Sequence, residues 1–300
     1  MSGTKRAASP PASSSKHARP DLSPPRPQSL HAWLHPETPP PLMTHSPPLH
    51  ESTSTFLSFS ISFVAPSHIT TDAALTKEAR RMVRELNVVG HVGEEIVEGE
   101  HGAFTEGAGK ITNSKGKERA REPDHRMWAV RTLVLKDGRD GTKGEDDYQL
   151  LEASYDDGEK FGGERVLKIQ REERAVDVLT ICCRWYGGDM IGPIRFQHIG
   201  LTAKTSIQAL SKLSTLRDLR LILEGLDADI EALRASINPP TTSAGASARD
   251  KAAQGGKYDE IQDTVKLERL IAAREKTKTA LEARVGWATI DQARTEGATG

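Results

Sequence analysis

The segment from Val176 to Tyr186, with Val178-Leu179-Thr180-Ile181-Cys182-Cys183 at its centre, is the most apolar stretch of the chain, and Gly187-Gly188 closes it. A short apolar run bounded by turn residues predicts a strand in the middle of a sheet. It is far shorter than the ~18–20 residues that a membrane-spanning helix needs, and no apolar run in the chain is longer. A central strand requires neighbours, and three other segments offer them. Phe56 to Phe63 nearly alternates apolar and small polar residues, the period of a half-buried strand beginning at Phe56. Met127–Leu135 and Tyr148–Tyr155 read as two strands of a hairpin joined by the polar loop from Asp137-Gly138 to Asp147. Helices fall between them. Thr70, Thr71 and Asp72 are N-cap candidates for a helix through Leu86, with Leu75, Ala79, Met82, Val83 and Leu86 at helical spacing. A second helix is expected from Gly162 to Arg171, and Pro193 can open a third, which carries Phe196, Ile199, Ala203, Ile207 and Leu210.

The rest of the chain has a different composition. Of the 17 prolines, 12 lie in the first 48 residues, so residues 1–54 are expected to form a disordered Pro/Ser-rich tail of polyproline II character. Ser9, Ser23 and Ser46 each precede a proline there, which permits proline-directed phosphorylation. The same prolines spoil the amphipathic helix of a mitochondrial presequence, and the N-terminus has no apolar stretch of the secretory kind. Residues 90–123 are rich in Gly, Glu and Lys without periodicity and read as a mobile insertion within one domain. Beyond Ser214, Leu216, Leu219, Leu223, Leu226, Ile230, Leu233 and Ile237 keep a strict 3-4 spacing, the pattern of a coiled-coil seam. Asn238-Pro239-Pro240 ends that seam, and Tyr258–Ala293 is helical again, with Arg274 and Lys278 where a clean seam would want apolar residues. A helical hairpin is the expected form of 214–300, following a domain at 55–213.

Three clusters resemble the Impact family and its bacterial YigZ-type relatives. They are His125-Arg126-Met127-Trp128-Ala129-Val130-Arg131; Asp156-Asp157-Gly158-Glu159 followed by Gly163; and Arg184-Trp185-Tyr186-Gly187-Gly188 followed by Ile191-Gly192-Pro193 and Arg195-Phe196-Gln197-His198-Ile199. The resemblance covers about residues 56–213. It implies an α+β fold: a four-stranded sheet with helices on one face, similar to a domain of ribosomal proteins and translation elongation factors. It also implies a cytoplasmic, non-enzymatic regulator acting by protein contacts in the amino-acid-starvation control of translation initiation. Eukaryotic members of that family carry an RWD domain ahead of this one, where this chain has its proline-rich stretch.

The same clusters suggest chemistry on their own terms. Arg184 and Arg195 flank Gly187 and Gly188 where a strand passes into a helix, an arrangement of cations and free N–H groups that suits an anion. The alternative is that the glycines only permit a tight turn while Arg184 pairs with a local acid, Asp157 or Glu159. Asp156, Asp157 and Glu159 could act as acid–base groups, although turn chemistry and helix capping account for the same residues. His125, next to Asp124, is a candidate for a structural or a catalytic role. An RNA- or ribosome-associated module using the anion site is the second functional reading, with Trp128 and Trp185 either core or a base-stacking platform. The net charge of −1 gives no general attraction to nucleic acid. A hydrolase is a weaker third. No nucleotide-binding glycine loop or zinc spacing occurs, so no cofactor or metal is expected. Cys182 and Cys183, adjacent on a strand, point to opposite faces and do not bridge each other.

Overall fold

The computed structural model describes residues 41–88, 90–91, 110–112, 118–120, 122–237 and 257–296. Residues 1–40, most of the expected insertion and the linker 238–256 lie outside the described residues. In chain order the elements are β1 (Met43–His45), β2 (Leu49–Glu51), β3 (Ser54–Ser62), α1 (Asp72–Glu85), β4 (Lys110–Thr112), β5 (Glu118–Ala120), β6 (His125–Leu135), β7 (Tyr148–Tyr155), α2 (Gly162–Glu172), β8 (Val178–Trp185), α3 (Arg195–Ile237) and α4 (Thr264–Glu296).

The α+β class is as expected, with two differences in arrangement. The sheet has six strands, not four. Its order is β1–β3–β8–β6–β7, with β2 beside β1 on the outer edge of β3, and every pairing is antiparallel. Strand order therefore starts at Met43, inside the proline-rich stretch and ahead of Phe56. Pro47 and Pro48 cannot donate to a ladder, so the edge divides into two short strands. Between them Ser46 bridges the gap: its N–H donates to Ser58 O (2.8 Å) and its Oγ accepts from Ser58 N (3.1 Å). Ser46 is thereby buried, which removes it from the residues that a kinase could reach in the folded chain. Ser9 and Ser23 lie outside the described residues. Lys110–Thr112 and Glu118–Ala120 also pair with each other, a small hairpin where no element was expected.

Helices cover both faces of the sheet, not one. Leu75, Ala79 and Val83 of α1 pack with Leu57, Phe59, Trp128, Val130, Leu179, Ile181 and Cys183. Val166, Leu167 and Ile169 of α2, with Ile199, Ala203 and Ile207 of α3, pack with Phe56, Met127, Ala129 and Cys182. Successive strand residues point to opposite faces, so β8 is buried along its whole length and needs cover on each side. Each such large side chain contributes roughly 1.5–3 kcal/mol by leaving water. The two thiols are free and lie one in each layer. Burial pushes Cys182 up to about 11 and Cys183 higher still, so neither is a nucleophile at neutral pH.

β3 is buried on both faces, whereas its alternation predicted a half-buried strand. The difference lies in its serines. Ser58 Oγ donates to Thr202 Oγ1 (2.8 Å), and Ser60 Oγ lies 2.8 Å from Ser206 Oγ and 3.1 Å from Thr180 Oγ1. Paired hydroxyls can be buried without the loss that unpaired ones incur, and their small size lets α3 lie close to the sheet.

α1 begins as its capping residues predict, with Thr71 Oγ1 accepting from Ala74 N (3.3 Å). α3 runs without a break from Arg195 to Ile237, so the expected boundary at 213/214 falls inside one helix. Its first turns cover the sheet and its later turns meet α4. Leu216, Leu223, Tyr258 and Leu267 form the buried seam of that hairpin, with Leu219, Ile261, Leu270 and Ile271 around them. α4 begins at Thr264, later than Tyr258, because Asp263 Oδ1 accepts from Val265 N (2.9 Å) and caps it there. The two cations expected to spoil the seam are ion-paired: Arg274 Nε to Asp227 and Lys278 Nζ to Asp229, both at 2.7 Å.

Candidate functional site

The three clusters singled out in the sequence meet at one end of the sheet. β6 and β8 pair with His125 opposite Arg184, and the turn after β7 closes over them. Its carboxylates take separate tasks. Asp156 caps α2: its Oδ2 accepts from Phe161 N and its Oδ1 from Gly163 N, both at 2.9 Å. Asp157 Oδ2 accepts from Arg126 N (2.7 Å), fastening the turn to β6. His125 Nδ1 donates to Asp157 O (2.8 Å), which assigns the proton to that nitrogen. A side chain on Gly158, at φ +83°, would meet the His125 ring.

Glu159 turns inward. One carboxylate oxygen pairs with Arg184 Nη1 and the other lies 2.6 Å from Arg195 Nε. Glu159 is 7% exposed and Arg184 5%, so this charge pair is withdrawn from water. The Arg184 guanidinium lies between the rings of Phe56 (5.3 Å) and Tyr186 (5.2 Å), and Nη2 donates to Ser54 Oγ (3.3 Å). Arg195 donates from Nη1 to Gly192 O (3.1 Å) and lies over Phe196. The anion held between the two arginines is the chain's own carboxylate, the local-acid alternative. The roles read from sequence for Asp156 and Asp157 resolve into helix capping and strand tethering.

Gly187 is required by close approach: a Cβ there would lie 2.0 Å from Thr53 O. Gly188 follows at φ +109°, a conformation that L side chains rarely adopt. The loop is anchored at both ends, with Asp124 Oδ2 accepting from Tyr186 N (2.7 Å) and Ser52 Oγ donating to Asp189 (2.6 Å). Just beyond the second anchor Met190 is 92% exposed, and Ile194, immediately before α3, is also exposed. Trp128 and Trp185 are buried beneath α1 and present no stacking face.

The site includes residues that the clusters did not contain. Ser54, Phe56 and Thr53 come from the β3 region, brought next to Arg184 by the β3–β8 pairing. Local pattern carries no signal for such contacts. His198 lies inside a quoted cluster without an assigned role; its ring packs against Phe56 (5.5 Å), with Nε2 3.5 Å from Glu51.

Residues 105–207, which carry all three clusters, match the family model of the Impact N-terminal domain. The chain contains an Impact N-terminal domain. An IMPACT family member of Schizosaccharomyces pombe is 49% identical over 57 residues, 19% of each chain. Protein IMPACT of Xenopus laevis is 38% identical over 69 residues, 23% of this chain and 22% of that protein. Protein IMPACT of Homo sapiens is 38% identical over 60 residues. The chain thus spans about a fifth of the length of the curated relatives it matches. A solved structure described as the two-domain translational regulator Yih1 aligns at 23% identity and a TM-score of 0.28, covering 56% of this chain and 46% of that one. The Impact match begins after β3 and α1, although both contribute to the core of this Impact domain.

Proposed function

We propose that the chain is a non-enzymatic regulator of translation initiation in the amino-acid-starvation response, acting by contact with a protein partner. The observation that carries the protein-contact reading is the placement of Glu159 between Arg184 and Arg195. With their charge satisfied internally, the arginines brace a loop that carries Met190 and Ile194 outward. Exposed apolar side chains on a firmly anchored loop suit a protein surface better than a phosphate backbone. Charge supports the same choice, because the chain as a whole has a net charge of −1. The link to translational control rests on the Impact N-terminal domain.

Affinity capture from starved cells, with and without ribonuclease, tests this reading. Recovery of a translation-control protein should survive ribonuclease and fall sharply for Met190→Glu. Recovery that ribonuclease abolishes would instead favour the second reading, an RNA- or ribosome-associated module.

A further inference from the structure

The two edges of the sheet are built differently. On the β3 side, Pro47 and Pro48 divide the edge into two three-residue strands, a form that does not invite further pairing. On the other side β7 extends for eight residues, Tyr148–Tyr155, and among the described residues pairs only with β6. Apart from the Tyr148 N–H, which donates to Glu145 O, its outer side shows no backbone hydrogen bond among the described residues. It contains no proline, glycine or lysine. Its single charge, Glu152, is held by Arg131 and Arg171 and does not guard the edge.

Beside this edge lies a groove of about 650 Å³, lined by Ser154 of β7, Arg165, Lys168 and Arg171 of α2, and the rings of Phe161 and Phe196. Phe161 is 52% exposed and sits at φ +66°, a conformation unfavourable for a bulky residue, held there by its N–H bond to Asp156. Three of the charged groups lining the groove are cationic and one, Glu164, is acidic. Ser154 and Leu150 share the α2 side of the sheet, because they stand four residues apart on one strand and Ser154 lines the groove with α2.

We infer that β7 is a docking edge for an extended segment of a partner protein that carries acidic side chains on alternate positions. Added as a further strand, such a segment would satisfy the open β7 backbone groups. Its alternate side chains on the α2 side would reach Lys168 and Arg171, and the intervening apolar side chains would fall on the opposite, α1 side of the sheet. This names a surface and a chemistry beyond the Met190 loop, and it rests on the protein-contact reading above.

The test uses the full chain and two fluorescein-labelled peptides of equal length, one alternating Glu and Val, the other Lys and Val. Fluorescence polarisation should show binding of the Glu peptide only. Hydrogen exchange should show new protection in 148–155, the signature of an added strand. Lys168 is exposed and only 4.0 Å from an exposed Glu172, so Lys168→Glu should leave the fold intact. That variant should weaken the Glu peptide about tenfold and gain affinity for the Lys peptide. Absence of binding, protection outside β7, or equal binding of both peptides would overturn the proposal. So would displacement of the peptide by single-stranded RNA, or a dimer in sedimentation that buries β7. Partner capture that depends on Met190 while the peptide is ignored would reject the docking edge and leave the protein-contact reading standing.

Discussion

Glu159 is the residue on which the candidate site depends. Replacing it with Gln keeps the shape and removes the charge that Arg184 was buried against. An unpaired buried cation costs about 3–5 kcal/mol, so Glu159→Gln should lower the denaturant midpoint strongly. Replacing Glu159 with Leu together with Arg184→Met should recover most of that loss, because apolar pairs of similar volume often match buried ion pairs. If the single variant unfolds like the parent in urea titrations, the buried pair is not what holds the acidic turn to β8. Gly187→Ala should be at least as damaging, since its Cβ would meet the Thr53 backbone, which cannot swing aside as a side chain can. Circular dichroism melts of that variant would check it. Little of this could be read locally. The arginines, glycines and acids stood out in the sequence, but which of three carboxylates faced inward depended on a turn with positive φ at Asp157 and Gly158.

The α3–α4 hairpin makes a separate prediction, about pH. Burial acts to raise the Asp227 pKa, but hydrogen bonds from Lys257, Tyr258 and Arg274 outweigh it and hold it at about 2. A carboxylate whose pKa is lower folded than unfolded stabilises fully above its unfolded value, near 3.8. That contribution is lost as pH falls from there toward 2. Helical signal followed by thermal melts between pH 5 and 2 should show the loss in the parent chain. Asp227→Asn should flatten that part of the profile; an unchanged profile would separate the ion network from hairpin stability. Leu223, fully buried in the seam, should cost about 2–5 kcal/mol on truncation to Ala, measured as a lower midpoint in the hairpin's unfolding. The heptad spacing announced this seam, and the capping Asp263 explains why the second helix begins later than its composition suggested.

The domain as a unit is larger than its recognisable segment. The Impact match covers 105–207, yet β3 supplies the strand next to β8 and α1 supplies one of the two covering layers. A fragment of residues 105–207 should therefore expose Trp128, Leu179 and Ile181 and fail to unfold cooperatively. Residues 41–300, which form one compact unit, should show a sigmoidal transition. Denaturation of both pieces followed by tryptophan fluorescence tests this, and a cooperative transition in the short fragment would show that β3 and α1 are dispensable.

Hydrophobic period and punctuation settled much of the fold in advance: the central β8, the β6–β7 hairpin, the helix capped by Thr71, the heptad seam. Each is a property of neighbouring residues, carried by alternation, by spacing or by a side chain bonding its own backbone. Other features follow only from packing. The sequence of β3 does not say whether its serines face water or a helix; α3 decides that by placing Thr202 and Ser206 within hydrogen-bond reach. The short strands after Pro41 exist because β3 offers them an edge. The anion site is filled because a turn some twenty-five residues from Arg184 in sequence is folded against it. A side chain's partner is fixed by what the tertiary structure brings near, and contacts between distant parts of the chain leave no local pattern to read.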